Sequence, residues 1–114
     1  MDTNKQFPDI QHSLIKHRAT SYKPGTLLCY ACGGSMLYGI LKKYTDRSVQ
    51  FISINKWVYG YLLKGQNPSV SYINVSSDQI KWRIAPVNLD LIDEESKQAY
   101  EMILELLYKN EILK

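Results

Sequence analysis

The segment from Gly25 to Tyr44 constrains the fold most strongly, because it predicts two β-strands joined by a tight turn. Apolar residues dominate on both sides of the Gly33-Gly34 pair. A two-residue hairpin turn needs positive φ angles, which glycine adopts without a Cβ clash. Gly39, inside the second arm, would let that strand bend sharply. The segment therefore predicts a bent β-hairpin at the centre of the fold.

Alternation of side chains with a period of two predicts four more strands after the hairpin. They are predicted at 48–54, 57–64, 69–75 and 79–85, between stretches with turn chemistry. In the second of these, Trp57 would share a face with Tyr59 and Tyr61, and Gly60 would mark another bend.

Two helices are expected at the ends of the chain. Apolar residues recur at spacings of three and four near the N-terminus and predict a short helix at 8–18. Asp93 is a good N-cap, and the two glutamates after it suit the positive end of a helix dipole, so a longer helix is predicted at 93–110. The apolar stripe of this helix must cover either the sheet or a second copy of the chain.

These elements predict a single α+β domain over 1–114. Its core would be a strongly bent antiparallel sheet or small barrel of five or six strands within 25–85, preceded by the short N-terminal helix and with the C-terminal helix packed on it. No apolar run approaches the roughly 20 residues needed to span a bilayer, and the first residues lack the pattern of a secretory signal. The chain is therefore expected to be soluble and cytoplasmic, with no membrane partner.

The charge is distributed unevenly. Residues 10–85 carry ten Lys or Arg side chains against two acidic ones, whereas residues 86–114 carry seven acidic side chains against three lysines. The basic middle permits a polyanionic partner, and the acidic helix could equally pack on or shield that surface.

Zinc is the one cofactor that the residue types suggest. The His and Cys residues of the chain all fall in one window, at His12, His17, Cys29 and Cys32, and four such ligands are what tetrahedral zinc takes. A regular helix would hold the two histidines roughly 140° apart, and a regular strand would point the two cysteines to opposite faces. Buried cysteines and surface histidines are the simpler interpretation, and no cofactor is predicted.

No catalytic constellation is present. The sequence contains no Gly-x-Ser-x-Gly elbow, phosphate loop or dinucleotide fingerprint. A Gly-Gly turn follows Cys29-Tyr-Ala-Cys32, where a thioredoxin-like site would need a helix. The chain is predicted not to be an enzyme.

Aromatic and basic residues alternate through the predicted strands, as in small barrels that stack bases and neutralise phosphates. Strand cores and protected sheet edges use the same residue types, so core packing, polyanion binding and protein binding all remain open. The candidate binding residues are Lys42, Lys43, Tyr44, Arg47, Lys56, Trp57, Lys81 and Arg83.

Two segments carry resemblances to known proteins. Gly25 to Ile54, with its Tyr38-Gly39-Ile40 step, resembles the first three strands of SH3-like or Sm-like small barrels, but it lacks the specific Sm motifs. Trp82 to Pro86, together with Asp93-Glu94-Glu95 and the terminal helix, is similar to the endings of small uncharacterised proteins of bacteroidete phages and mobile elements.

The sequence thus predicts a non-enzymatic binding module. The second resemblance implies an accessory or anti-defence role, in which the chain occupies a surface on a protein partner or a nucleic acid. A protein partner is the first expectation, and a homodimer through the C-terminal helix is another. A zinc-stabilised module and a protein that sequesters a small ligand are the remaining alternatives.

Overall fold

The computed structural model describes residues 7–8, 23–32, 35–44, 48–74 and 84–113. Along the chain its elements are β1 (Leu27–Cys32), β2 (Ser35–Tyr44), β3 (Ser48–Ser53), α1 (Lys56–Leu63), β4 (Ser71–Asn74), β5 (Ile84–Pro86), a 3₁₀ turn (Leu89–Leu91) and α2 (Glu94–Lys109). The predicted α+β class is confirmed, and the five strands lie within the predicted number. The predicted N-terminal helix at 8–18 lies, apart from Pro8, outside the described residues.

The sheet has the strand order β4-β3-β2-β1-β5, and every neighbouring pair is antiparallel. Cys32 pairs with Ser35, which confirms the hairpin predicted around Gly33-Gly34. In the part of the chain that the structure describes, β4 and β5 stand at opposite edges and do not pair. The described strands thus form an open sheet, and the predicted barrel closure is not confirmed.

The irregularity of β2 falls at Lys42. Leu41 pairs with Phe51 and Lys43 with Gln50, so Lys42 is the additional residue of a β-bulge. A bulge bends the strand and increases its twist. The bulge thus lies at Lys42 and not at Gly39. Glycine is required at position 39 because the aromatic rings above it leave no space for a Cβ atom.

The prediction of a strand at 57–64 is wrong, because these residues form α1 and its C-cap. The side chain of Asn55 caps the helix by accepting a 2.9 Å hydrogen bond from the Val58 amide. Gly65 ends it with a φ of +73°, as a glycine commonly does one position beyond a helix. One side of α1 is buried through three residues at helical spacing, Val58, Tyr59 and Leu62.

The sheet is buried on both faces. On the first face, strand residues such as Ile40 and Ile52 form one core with α1 and α2. On the second face a separate core contains Leu28, Tyr30, Leu41, Val49, Phe51 and Ile84. No described helix residue belongs to this second core.

The capping prediction for α2 is confirmed. Asp93 is the N-cap, and its carboxylate accepts hydrogen bonds from the Ser96 amide at 3.0 Å and from the Ser96 hydroxyl at 2.8 Å. The predicted apolar stripe lies buried in the first core, through Ala99, Met102, Ile103, Leu106 and Leu107. The stripe therefore covers the sheet of its own chain. No helix within the described ranges has the length and apolar character to cross a membrane.

Candidate interaction surface

The outer side of α1 carries two exposed aromatic rings. Trp57 is 71 % exposed and Tyr61 is 49 % exposed. Residues four apart lie on the same side of a helix, so the two rings are neighbours. The ammonium group of Lys56 lies 5.6 Å from the centroid of a Trp57 ring, within the range of a cation–π contact. Together with Lys64, seven residues after Trp57 and also exposed, these side chains form what we call the α1 ridge.

The α1 ridge stands on a well-anchored helix. On the opposite side of α1, the ring of Tyr59 packs at 5.3 Å from that of Phe7. At the C-terminal end, the Asn110 side-chain amide donates a 2.9 Å hydrogen bond to the Leu62 carbonyl and so joins α1 to the end of α2. The helix that carries the exposed rings is thus held in place by contacts on its other side and at its C-terminal end.

The electrostatic surroundings of the α1 ridge are basic. No Asp or Glu occurs between residues 48 and 77, and Lys56 and Lys64 are the charged residues of that segment. The other helix, α2, carries four exposed acidic residues: Glu94, Glu95, Glu101 and Glu105. Because α2 also carries Lys97 and Lys109, its net charge is −2, from four glutamates against two lysines, opposite in sign to that of the α1 ridge.

The predicted binding residues that the structure describes lie in two separate places. Lys43 pairs with Gln50 and Tyr44 with Val49, at the beginning of β3, whereas α1 follows its other end. A strand rises about 3.3 Å per residue, so Gln50 and Ser53 alone are separated by roughly 10 Å. Of the described candidates, Lys56 and Trp57 belong to the α1 ridge, and Lys42, Lys43 and Tyr44 do not.

The other candidates have different positions. Lys43 is exposed, Lys42 is the half-buried bulge residue, and Tyr44 packs half-buried against the second core. Three candidates lie outside the described residues: Arg47, Lys81 and Arg83.

Sequence reasoning missed Tyr61 and Lys64 as members of the ridge. Their spacing of four and seven residues from Trp57 would have identified them, had the segment been recognised as a helix. Asn55 before it and Gly65 after it were the available signals.

A concave feature, the α2 pocket, lies between α2, the start of β1 and the segment after β5. Its volume is about 310 Å³, near the lower end of the range for small-molecule sites. The residues that line it include Pro24, Thr26, Val87, Leu89, Leu104 and Tyr108. The pocket is mostly apolar, with phenol and hydroxyl groups at its wall.

Tyr100 also lines this pocket, and its hydroxyl donates a buried 2.6 Å hydrogen bond to the Gly25 carbonyl. Burial raises the pKa of Tyr100 above its ordinary value, and the charges of Tyr108 and Glu101 add to this effect. The phenol therefore keeps its proton at neutral pH and acts as a structural hydrogen-bond donor.

The zinc-stabilised module stays an untested alternative to the prediction of no cofactor. Among the described residues, no group of three or more His, Cys, Asp and Glu side chains is placed to hold a metal ion. Cys29 is buried in the first core. His12, His17 and the side chain of Cys32 lie outside what the structure describes.

No protein-family model, curated protein or solved structure matches this chain.

Proposed function

We propose that this chain is a non-enzymatic binding module and that its α1 ridge docks on a protein partner. The observation that carries the proposal is the 71 % exposure of Trp57 on a helix whose other side is anchored in the core. Aromatic side chains bury about 150–250 Å² when covered, and tryptophan and tyrosine are frequent energetic centres of protein interfaces. An anchored helix with rings at positions i and i+4 matches the helix-in-groove mode of recognition.

A nucleic acid is the second candidate, favoured by the absence of acidic residues between 48 and 77. Exposed aromatic rings beside lysines can stack bases while the lysines contact phosphates. The α1 ridge, however, has only Lys56 and Lys64 as cations. Strong salt-dependent binding typically involves about six to ten phosphate contacts. Two lysines are too few for that number of phosphate contacts, whereas two exposed aromatic rings suit an apolar partner surface. The ridge therefore favours a protein.

The biological setting we propose is an accessory or anti-defence role in a phage or mobile element. Its support is the resemblance inferred from the sequence of Trp82–Pro86 and of the terminal helix. In this role the module acts by occupying a surface of its partner.

Affinity capture followed by a quantitative binding measurement tests this proposal. A partner captured by the wild-type chain should bind Trp57→Ala at least about tenfold more weakly, since a central interface tryptophan contributes about 2 kcal/mol or more. Tyr72→Ala is the matched control, because Tyr72 is 61 % exposed but belongs to β4. Equal binding by wild type and Trp57→Ala would contradict the proposal.

Salt dependence separates the two candidates. Raising the salt from about 50 to about 200 mM should weaken a protein interface centred on Trp57 only a few-fold. A nucleic acid contacted by Lys56 and Lys64 alone would lose roughly tenfold, and one that also contacts further cations of the chain, up to six to ten phosphates, would lose about 10³-fold or more. A single-stranded oligonucleotide whose binding shows that steep loss and requires Trp57 would replace the protein partner by a nucleic acid.

A further inference from the structure

The two edges of the described sheet differ in what they offer to a further strand. In an antiparallel sheet, successive residues of a strand turn their N–H and C=O groups to opposite sides. At the β5 edge the Val87 amide donates to the Leu27 carbonyl of β1, so the main-chain groups of Pro86 face away from β1. A proline has no N–H to donate there. The β5 edge thus carries a feature that natural sheets use against the addition of strands.

The same alternation identifies the outward groups of β4, at the opposite edge. Directly after β3, the Ile54 amide donates to the Tyr38 carbonyl of β2. The even-numbered residues of β3 therefore bond β2, and the odd-numbered ones bond β4. The β4 residues opposite those odd-numbered ones, such as Ser71, turn their main-chain groups towards β3. The N–H and C=O groups of Tyr72 and Asn74 consequently point away from the sheet.

The outer edge of β4 has none of the usual protection. Natural edge strands are guarded by charged side chains, prolines or bulges. The strand contains no proline, its register with β3 shows no bulge, and no charged residue occurs between Gly65 and Ser77. Within the described ranges no strand pairs with this edge, and Tyr72 is 61 % exposed on it. Such an edge favours the addition of a strand.

We infer that the chain forms a homodimer in which the β4 strands of two copies pair antiparallel across a two-fold axis. Tyr72 of each copy lies opposite Asn74 of the other, and both pairs exchange backbone N–H···O hydrogen bonds through their outward groups. The two five-stranded sheets become one continuous sheet. The predicted homodimer contact thus lies at a strand edge, whereas the apolar stripe of α2 is buried in its own chain.

A second copy is the occupant that suits this edge. A two-fold axis brings the same strand together with itself, so every outward donor of one copy meets an outward acceptor of the other at the same spacing. The uncharged stretch keeps like charges out of the contact, although the chain carries a net charge of +3. In this register the two Tyr72 side chains are diagonal neighbours about 7–8 Å apart on one face, within reach of each other. The contact therefore covers the exposed ring of β4.

The pairing ends at two copies. Each copy contributes its β4 edge, and the β5 edge turns Pro86 outward, so it offers no equivalent strand for further growth. Because β4 has four residues, the contact buries less than the roughly 1,600 Å² of a standard stable interface. Weak, concentration-dependent dimerisation follows.

Sedimentation velocity of the full chain, from about 10 µM to about 1 mM, measures the dimerisation. We expect the mean mass to rise with concentration towards that of a dimer and no further. Tyr72→Lys should weaken the association about tenfold or more, because it places two like charges beside each other across the axis. Trp57→Ala is the matched control, since it removes a more exposed aromatic ring from α1 and should associate as the wild type does. A monomeric wild-type chain, or an equal loss in Trp57→Ala, would overturn the inference.

Hydrogen exchange of individual backbone amides, measured by NMR at both ends of this concentration range, tests the register. The amides of Tyr72 and Asn74 gain a hydrogen bond only in the dimer, so their exchange rates should fall in proportion to the remaining monomer fraction. The amides of Ser71 and Ile73 bond β3 in the monomer as well and should change little. Dimerisation without slower exchange at Tyr72 and Asn74 would overturn the inference.

Asn74→Pro provides a second variant that leaves the Tyr72 ring in place. It removes one outward N–H and no hydrogen bond to β3, since proline is tolerated where the N–H of an edge strand faces solvent. It should weaken the dimer as Tyr72→Lys does, and unchanged dimerisation would overturn the inference. Circular dichroism of all variants verifies that they are folded.

The inference uses a different surface from the proposed function, so the two can fail separately. A monomeric wild-type chain that still loses a captured protein partner on Trp57→Ala would refute the β4 pairing and leave the α1 ridge as a docking surface. A wild-type chain that stays monomeric and binds a captured protein that Tyr72→Lys releases would assign the β4 edge to a strand of that protein. This outcome would also overturn the homodimer.

Discussion

The hydroxyl of Tyr100 donates a 2.6 Å hydrogen bond to the backbone carbonyl of Gly25, which joins α2 to the turn before β1 across 75 residues of sequence. Tyr100→Phe should lower the free energy of unfolding by about 1–3 kcal/mol, because it leaves this buried carbonyl without its donor. Urea denaturation measures the loss. Tyr108→Phe is the control, because Tyr108 is 47 % exposed and water can replace its contacts. Equal losses in both variants would contradict the structural role of the bond.

Gly39 lies beneath the rings of Tyr30 and Phe51, whose centroids are 4.3 Å apart. A Cβ at this position would stand 2.9 Å from Phe51 Cδ2 and 3.1 Å from Tyr30 Cε1. We expect Gly39→Ala to destabilise the protein by about 1–3 kcal/mol through overpacking.

A double-mutant cycle with Phe51→Leu tests that cause. The smaller side chain at position 51 makes space, so the combined loss should be smaller than the sum of the single losses. Strict additivity would mean that the clash with Phe51 is not the reason for the glycine.

Gly60 and Gly65 should respond to the same substitution with opposite signs. At both positions an added Cβ meets no atom within 4 Å, but Gly65 has a φ of +73°, whereas Gly60 lies inside α1. Gly60→Ala should stabilise by up to about 1 kcal/mol through helix propensity. Gly65→Ala should destabilise by about 1 kcal/mol, because a left-handed conformation strains a residue with a side chain. Thermal unfolding compares the two variants, and a shared sign would contradict the assignment of α1.

The N-cap of α2 should make stability depend on pH. Partial burial alone would raise the pKa of Asp93, but the hydrogen bonds from Ser96 outweigh it and lower the pKa below its ordinary value of 3.8. The charged cap therefore stabilises the fold above that value, and the contribution is lost as the pH falls through the lowered pKa of the folded state.

Asp93→Ala should accordingly cost about 1 kcal/mol near pH 7, and the cost should shrink well below pH 4. Asp93→Asn is the control, because it retains a capping oxygen and removes the charge. Urea denaturation at several pH values gives the difference from wild type for both variants. An Asp93→Ala penalty that stays constant from neutral to strongly acidic pH would exclude a role for the charge.

Two elements were predictable from local sequence, and both are confirmed. The β1–β2 hairpin followed from Gly33-Gly34 between apolar arms, and Cys32 pairs with Ser35 as this turn requires. The start of α2 followed from Asp93, which caps the helix as expected. Both signals come from hydrogen bonds or backbone angles within a few residues, so no distant contact was needed to interpret them.

The segment at 57–64 was not predictable from its alternation. A run of eight mostly apolar residues rich in aromatics fits a strand both by propensity and by length. The side-chain cap from Asn55, the positive φ of Gly65 and packing on the first core decide for the helix. This change moves Trp57 from the face of a predicted strand to the exposed side of α1.

The sequence by itself determined the α+β class, the hairpin and the capped C-terminal helix, because these depend on glycine turns, N-cap hydrogen bonds and apolar periodicity. Only the tertiary structure decided which aromatic rings are exposed, since burial depends on what packs against each ring. The candidate surface is therefore a tertiary property. Tyr59 is buried against Phe7 and the first core, whereas Trp57, two residues earlier, faces outward with Lys56 beside its ring.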